Sequence, residues 1–215
     1  MKTIRSTLVH RVAPPEGGVS ERFPTLVLLH GRGADEEDLL GLSQYLDDRL
    51  LLIAPRAPFE YEIGGYTWYD LAEPGKPDHG RFSESFGMLS AFVDDIIREY
   101  PVDSNRLFLL GFSMGAVMSY ALSLTRPRLF RGVSANSGYV PELDQLTLRW
   151  NDLASLNVFV THGLADPIIP VSYARHAREL FEKSNANLTY REYAMGHQFC
   201  EESLSDIVSW MSGLL

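Results

Sequence analysis

The stretch LFLLGFSMGAVMSYAL, Leu107 to Leu122, constrains what this chain can fold into more than any other. A short apolar run, Leu107–Leu110, passes at once into Gly-Phe-Ser-Met-Gly and then into a run of helical character. A buried strand that turns directly into a buried helix leaves almost no space at its corner. Side chains two residues before and after the turning residue would collide there, so Gly111 and Gly115 read as steric permission for Ser113. A corner packed only for compactness would explain the glycines but not the serine between them. The turn holds a hydroxyl out at the edge of a sheet, beside a helix N-terminus. There the Met114 N–H can meet negative charge.

The same alternation recurs along the chain. Leu26–His30, Leu50–Ala54 and Val158–Thr161 are short and apolar, as buried strands are, and Gly132–Asn136 and Leu188–Tyr193 are weaker examples. Thr3–Val12 alternates as a half-exposed strand, and the PPEGG that follows predicts a turn back toward Leu26. Helical patterns occupy Asp38–Leu46, Ser83–Tyr100, Met114–Leu124, Val171–Phe181 and Glu201–Leu214. Within Ser83–Tyr100, helical spacing gathers Phe86, Leu89, Phe92, Val93, Ile96 and Ile97 on one face. Strands alternating with helices predict an α/β fold with a mainly parallel central sheet covered on both faces. At 215 residues, with no internal repeat, the expectation is one domain, 1–215, with little length left for a separate cap. Ligands of such sheets bind beyond the carboxyl ends of the strands.

A serine hydroxyl is a poor nucleophile until a base takes its proton, and the base needs an orienting carboxylate. On this kind of sheet the chain order is serine, acid, histidine. Three histidines follow Ser113. His162 ends a strand and precedes the carboxylates of its own loop, and His176 lies among Arg175, Arg178 and Glu179 on a helix face that reads as solvated. His197, in Ala-Met-Gly-His after the Leu188–Tyr193 strand, stands where a base belongs. Asp166 is the acid of HGLADPIIP, after Val158–Thr161, whereas Asp144 and Asp152 have no clear strand before them. A turn or capping role for Asp166 and a hydrogen-bonded loop role for His197 are the bland alternatives. The order Ser113, Asp166, His197, each at a strand end, favours a triad. A second oxyanion donor should come from an earlier strand-to-helix loop, which points to the backbone N–H of Arg32 beside that of Met114. His30 lies outside the triad order and reads as a loop organiser.

The bulk composition narrows the partners. A net charge of −9 with no basic stripe argues against nucleic acid, and no run approaches the ~20 apolar residues of a membrane span. The first residues hold no signal-peptide core, which makes a cytoplasmic location the expectation. Cys200 is the one cysteine, read as a buried helix-start residue, so no disulfide forms within the chain. No metal-ligand cluster is visible, and the chemistry sketched above needs neither metal nor cofactor. The expected partner is a small-molecule ester or thioester, for a monomer or homodimer.

Six ordered motifs, HGRGADEEDL, APRAPFE, WYDL, GFSMGA, HGLADPIIP and MGHQFCEES, resemble the phospholipase/carboxylesterase family of α/β-hydrolases. That family includes acyl-protein thioesterases and small bacterial esterases. The resemblance implies the α/β-hydrolase fold, a triad of Ser113, Asp166 and His197, and oxyanion donors at Arg32 and Met114. Eukaryotic thioesterases usually carry Gln at the position of Met114 and an Asp at that of Leu164. With Arg32 in place of a common apolar residue, this chain looks closer to the bacterial esterases.

The implied activity is serine carboxylesterase, acting on short- to medium-chain acyl esters through an acyl-enzyme. A thioesterase or lysophospholipase on the same triad differs only in leaving group. A ligand-binding relative without catalysis would typically lack a triad member, and none is missing here. Substrate choice falls to the Pro55–Phe82 stretch, rich in aromatics, glycines and prolines. Trp68 and Tyr69 are the residues expected to line an apolar pocket nearest the chemistry.

Overall fold

The computed structural model describes residues 3–16 and 21–215, so Gly17 and Gly18 of the expected PPEGG turn lie outside the described residues. Its elements in chain order are β1 (His10–Ala13), β2 (Phe23–Leu29), a 3₁₀ turn (Leu39–Tyr45) and β3 (Leu51–Pro55). Two small hairpins follow, β4 (Phe59–Glu60) with β5 (Tyr66–Thr67) and β6 (Leu71–Glu73) with β7 (Lys76–Pro77). Then come α1 (His79–Glu99), β8 (Val102–Phe112), α2 (Met114–Thr125), β9 (Gly132–Asn136) and a short 3₁₀ turn (Trp150–Asp152). The chain closes with β10 (Asn157–Gly163), α3 (Ser172–Glu182), β11 (Asn187–Tyr193) and α4 (Glu201–Ser212).

Seven strands form one sheet in the order β1-β3-β2-β8-β9-β10-β11. Only the β1–β3 pair is antiparallel; the other five pairings are parallel. The strict period of two in β2 divides the core. Val27 and Leu29 pack with Leu89, Phe92 and Val93 of α1, the apolar face of α2, and Ala174, Ala177 and Phe181 of α3. Leu26 and Leu28 face the other way and pack with Leu39, Leu46, and Ile207 and Met211 of α4. Helices therefore cover both faces. Among the described residues no helix is long and apolar enough to cross a membrane.

Three of the departures from the sequence expectation have a plain physical cause. The strand expected over 3–12 pairs only at His10–Ala13, because residues 4–7 run along α1 instead. There the Ile4 N–H donates to the Tyr100 hydroxyl, Ser6 to Asp95 and Thr7 to the Met88 carbonyl. The 38–46 segment winds as a 3₁₀ turn, with Gly41 in its middle weakening the case for an α-helix. Helix α1 starts at His79, four residues early, because the Asp78 carboxylate accepts from the Arg81 N–H and caps it.

Candidate active site

Strand β8 runs into Ser113, held at φ 55° and ψ −118°, a conformation costly for any residue with a side chain. Close packing on the inner side enforces it. A Cβ on Gly111 would meet the Gly115 carbonyl oxygen at 2.3 Å and Ser119 Oγ at 2.4 Å. On the other side the Ser113 N–H donates to the Asn136 carbonyl at 2.9 Å. The Asn136 side chain extends this stitching across three strands. Its Nδ2 donates to Gly111 O at 3.0 Å, and its Oδ1 accepts from Thr161 Oγ1 at 2.6 Å. The carboxyl ends of β8, β9 and β10 are thus tied together under the serine.

The loops after β10 and β11 converge on that point. Asp166 Oδ1 accepts from the N–H groups of Ile168 and Ile169, both at 2.9 Å, and Oδ2 lies 2.7 Å from His197 Nδ1. His197 Nε2 lies 2.9 Å from Ser113 Oγ. The carboxylate fixes the proton on Nδ1, which leaves Nε2 bare and aimed at the hydroxyl. The Asp166 side chain is 0 % exposed and that of His197 15 %, so solvent reaches the imidazole but not the acid. The Phe112 ring packs against His197 with centroids 4.9 Å apart and restricts its swing.

Met114 is the first residue of α2, so its N–H has no carbonyl one turn earlier to bond and points out of the helix end. Arg32 follows β2 and, with Met114 and Ser113, lines a cavity of about 230 Å³. Its remaining wall mixes the apolar side chains of Leu71, Ile168 and Ile169 with the phenols of Tyr69 and Tyr139 and the carboxylate of Glu73. The hydroxyls of Tyr69 and Tyr139 lie 3.2 Å apart, and burial pushes both phenols up, keeping them neutral donors. A second space of about 470 Å³ shares Glu73, Pro74, Tyr139, Pro167 and Ile168 with the first and extends to Tyr173 and His176.

Of the two aromatic residues expected to line the pocket, the structure brings Tyr69 to the cavity but not Trp68. Trp68 is fully buried, and its indole N–H donates to the His30 carbonyl at 2.9 Å. It anchors the hairpin segment to the β2 loop, because a buried indole needs an acceptor and finds it there. His30 organises that loop as its position predicts. Its Nδ1 lies 2.7 Å from the Gly31 carbonyl, Nε2 accepts the Ala57 N–H at 3.0 Å, and burial lowers its pKa. Cys200 starts α4 as expected but is only half-buried, its Sγ accepting the Ser203 N–H at 3.4 Å. His176 sits on the exposed face and pairs with Glu142.

Several residues of the site go unnoticed in the sequence. Asn136 carries a faint signal, a polar residue at the carboxyl end of an apolar strand where such sheets bind ligands. Leu71, Tyr139 and Ile168 carry none, because only the folded loops turn them toward Ser113.

Comparison with known proteins decides the kinship. The sequence profile of the phospholipase/carboxylesterase family matches residues 15–215. The chain belongs to that family. An acyl-protein thioesterase 1 of Candida albicans is 25 % identical, over 96 % of this chain and 98 % of its own length. The protein of the same name from Debaryomyces hansenii is 29 % identical over 78 % of each. Among solved structures, a Bacillus cereus carboxylesterase superposes with a TM-score of 0.85 at 25 % identity, covering 97 % of this chain and 95 % of its own. A Mesorhizobium loti carboxylesterase, at 22 % identity and a TM-score of 0.84 over 97 % and 96 % of the two chains, shares the fold. The fold is that of the α/β-hydrolases.

Proposed function

We propose that this chain is a serine carboxylesterase that hydrolyses short- to medium-chain acyl esters through an acyl-enzyme. The observation that carries this reading is the continuous relay from Ser113 Oγ to His197 at 2.9 Å and on to Asp166 at 2.7 Å. In the first half-reaction His197 Nε2 takes the Ser113 proton as Oγ attacks the acyl carbonyl. Negative charge gathers on the former carbonyl oxygen, and the N–H groups of Arg32 and Met114 hold it. His197 then gives its proton to the departing alcohol, leaving the acyl group on Ser113. In the second half-reaction His197 draws a proton from water, which attacks the acyl-enzyme. The imidazolium returns that proton to Ser113 Oγ as the acyl–oxygen bond breaks and the acid leaves. Asp166 keeps the imidazole in the productive tautomer and stabilises the imidazolium. No step calls for a metal or cofactor.

The cavity beside Ser113, about 230 Å³ with Leu71, Ile168 and Ile169 in its wall, supports a short to medium acyl chain. A thioesterase reading is the second one, favoured by the relatives named acyl-protein thioesterase 1. The relay serves it equally, because His197 can protonate a thiolate as it leaves. Hydrolysis of p-nitrophenyl esters from acetate to palmitate, beside matched thioesters, separates the readings. Ser113→Ala should lower turnover by about 10⁴-fold or more, and activity should peak at short to medium chains. A preference for the thioester at every length would favour the second reading. Turnover retained by Ser113→Ala would overturn both.

A further inference from the structure

A second imidazole stands on the far side of the Asp166 carboxylate. His162 is the last residue but one of β10, its side chain 0 % exposed, and its Nε2 lies 2.7 Å from the Ile169 carbonyl and 3.3 Å from Asp166 Oδ2. Its other nitrogen, Nδ1, is buried and has no hydrogen-bond partner among the described residues. A proton on Nδ1 would strand a donor away from water, so the proton sits on Nε2 and is donated to the Ile169 carbonyl. The Ile169 peptide closes the arrangement: its oxygen faces His162 Nε2 while its N–H donates to Asp166 Oδ1. His162 therefore grips the acid-bearing loop from inside through the Ile169 carbonyl. Its Nε2 stands 3.3 Å from the oxygen that His197 also uses, near enough for the N–H dipole to act on it without a hydrogen bond.

We propose that His162 is a positioning residue for the hydrolysis, which seats Asp166 and divides its negative charge between two imidazoles. The proposal rests on the triad reading above. The charged and titratable groups facing His162 are Asp166 on its own loop, His197 on the loop after β11, and Glu192 on β11. Glu192 is already engaged by Arg175 and by the Tyr190 hydroxyl, which leaves Asp166 as the carboxylate closest to His162 Nε2. Burial lowers the His162 pKa, so the ring serves as a neutral donor at working pH.

The consequence is a pH signature. Without the His162 N–H, the Asp166 charge acts undivided on His197, and the inactive, protonated imidazole is held more firmly. The acidic limb of kcat/KM then moves to higher pH, by about half a unit for one weak contact between a charge and an N–H dipole. The test is the kcat/KM profile on p-nitrophenyl butyrate from pH 5 to 9 for wild type, His162→Leu and His162→Gln, with Ser113→Ala in the same assay. Gln can place an amide N–H where Nε2 stood. The expected result is an acidic limb raised in His162→Leu, with kcat lowered several-fold and KM little changed, and a limb restored in His162→Gln. A folded His162→Leu whose limb does not move, or a His162→Gln shifted as far as His162→Leu, would overturn the proposal alone. Activity surviving Ser113→Ala would overturn the triad reading and the proposal with it. Imidazole ¹⁵N shifts of the wild type give a measurement that needs no variant: across the active pH range His162 should carry its proton on Nε2 with Nδ1 bare. A proton found on Nδ1 in that range would overturn the assignment.

Discussion

Gly115 and Leu29 touch through their backbones: a Cβ on Gly115 would lie 1.9 Å from the Leu29 carbonyl oxygen. No rotamer change relieves such a clash, because both partners are main chain. Gly115→Ala must therefore push α2 away from β2, at a cost of at least about 3 kcal/mol. For a domain of this size that lowers Tm by roughly 6–12 °C, and activity should fall with it. Thermal unfolding of the variant checks this; a Tm within a degree of wild type would show that the corner is looser than described.

Arg32 contributes to the proposed oxyanion site through its amide and not its guanidinium. Arg32→Ala should lose less than about threefold in kcat/KM on neutral esters, whereas Arg32→Pro, which deletes the N–H, should lose about 10²–10³-fold. Steady-state kinetics beside a melting curve for each variant distinguish lost chemistry from lost fold. Equal losses in the two variants would move the donor elsewhere.

Trp68 and Leu71 make opposite predictions. Trp68→Ala removes a fully buried ring and its bond to the His30 carbonyl, and should cost about 3–5 kcal/mol while leaving the ranking of acyl chain lengths as it was. Leu71→Trp fills part of the cavity beside Ser113 and should cut activity on octanoate more than on acetate, with little change in Tm. A chain-length shift in Trp68→Ala would restore that residue to the pocket wall.

The pairing of Glu192 on β11 with Arg175 on α3 predicts a stability that depends on pH. The Arg175 guanidinium, at 2.8 Å, is the main cause that pulls the Glu192 carboxyl down to about 2. Its folded pKa lies below that of the unfolded chain, near 4.5. The contribution is therefore complete above that value and is lost as pH falls from about 4.5 toward 2. Glu192→Gln should melt below wild type at pH 7, and the two melting temperatures should converge in acid. A gap that persists at pH 2.5 would assign the loss to packing instead of charge.

What could be read in advance was whatever depends on local period and local sterics. Leu26–His30 and Leu107–Leu110 were legible as strands because buried parallel strands are short apolar runs, and the Gly111–Ser113–Gly115 spacing announces its own corner. The order of Ser113, Asp166 and His197 was legible because each follows a strand. Direction was not. Aromatic composition marked the 55–82 segment, yet nothing local says that Tyr69 reaches the cavity while Trp68 turns to His30. The hairpins of two- and three-residue strands carry too little pattern to register. His162 escaped because its contact with the Ile169 carbonyl, seven residues on, exists only once HGLADPIIP has folded back over the ring.

The proposed mechanism requires that Ser113 become acylated during turnover. Quenching the enzyme in acid during steady-state hydrolysis of a p-nitrophenyl ester, then mapping its peptides by mass, tests this most directly. The expected result is the mass of one acyl group on the peptide that holds Ser113, absent in Ser113→Ala and in His197→Ala. An acyl group on any other residue, or full turnover with Ser113 never modified under conditions that trap half or more of a control serine esterase, would contradict it.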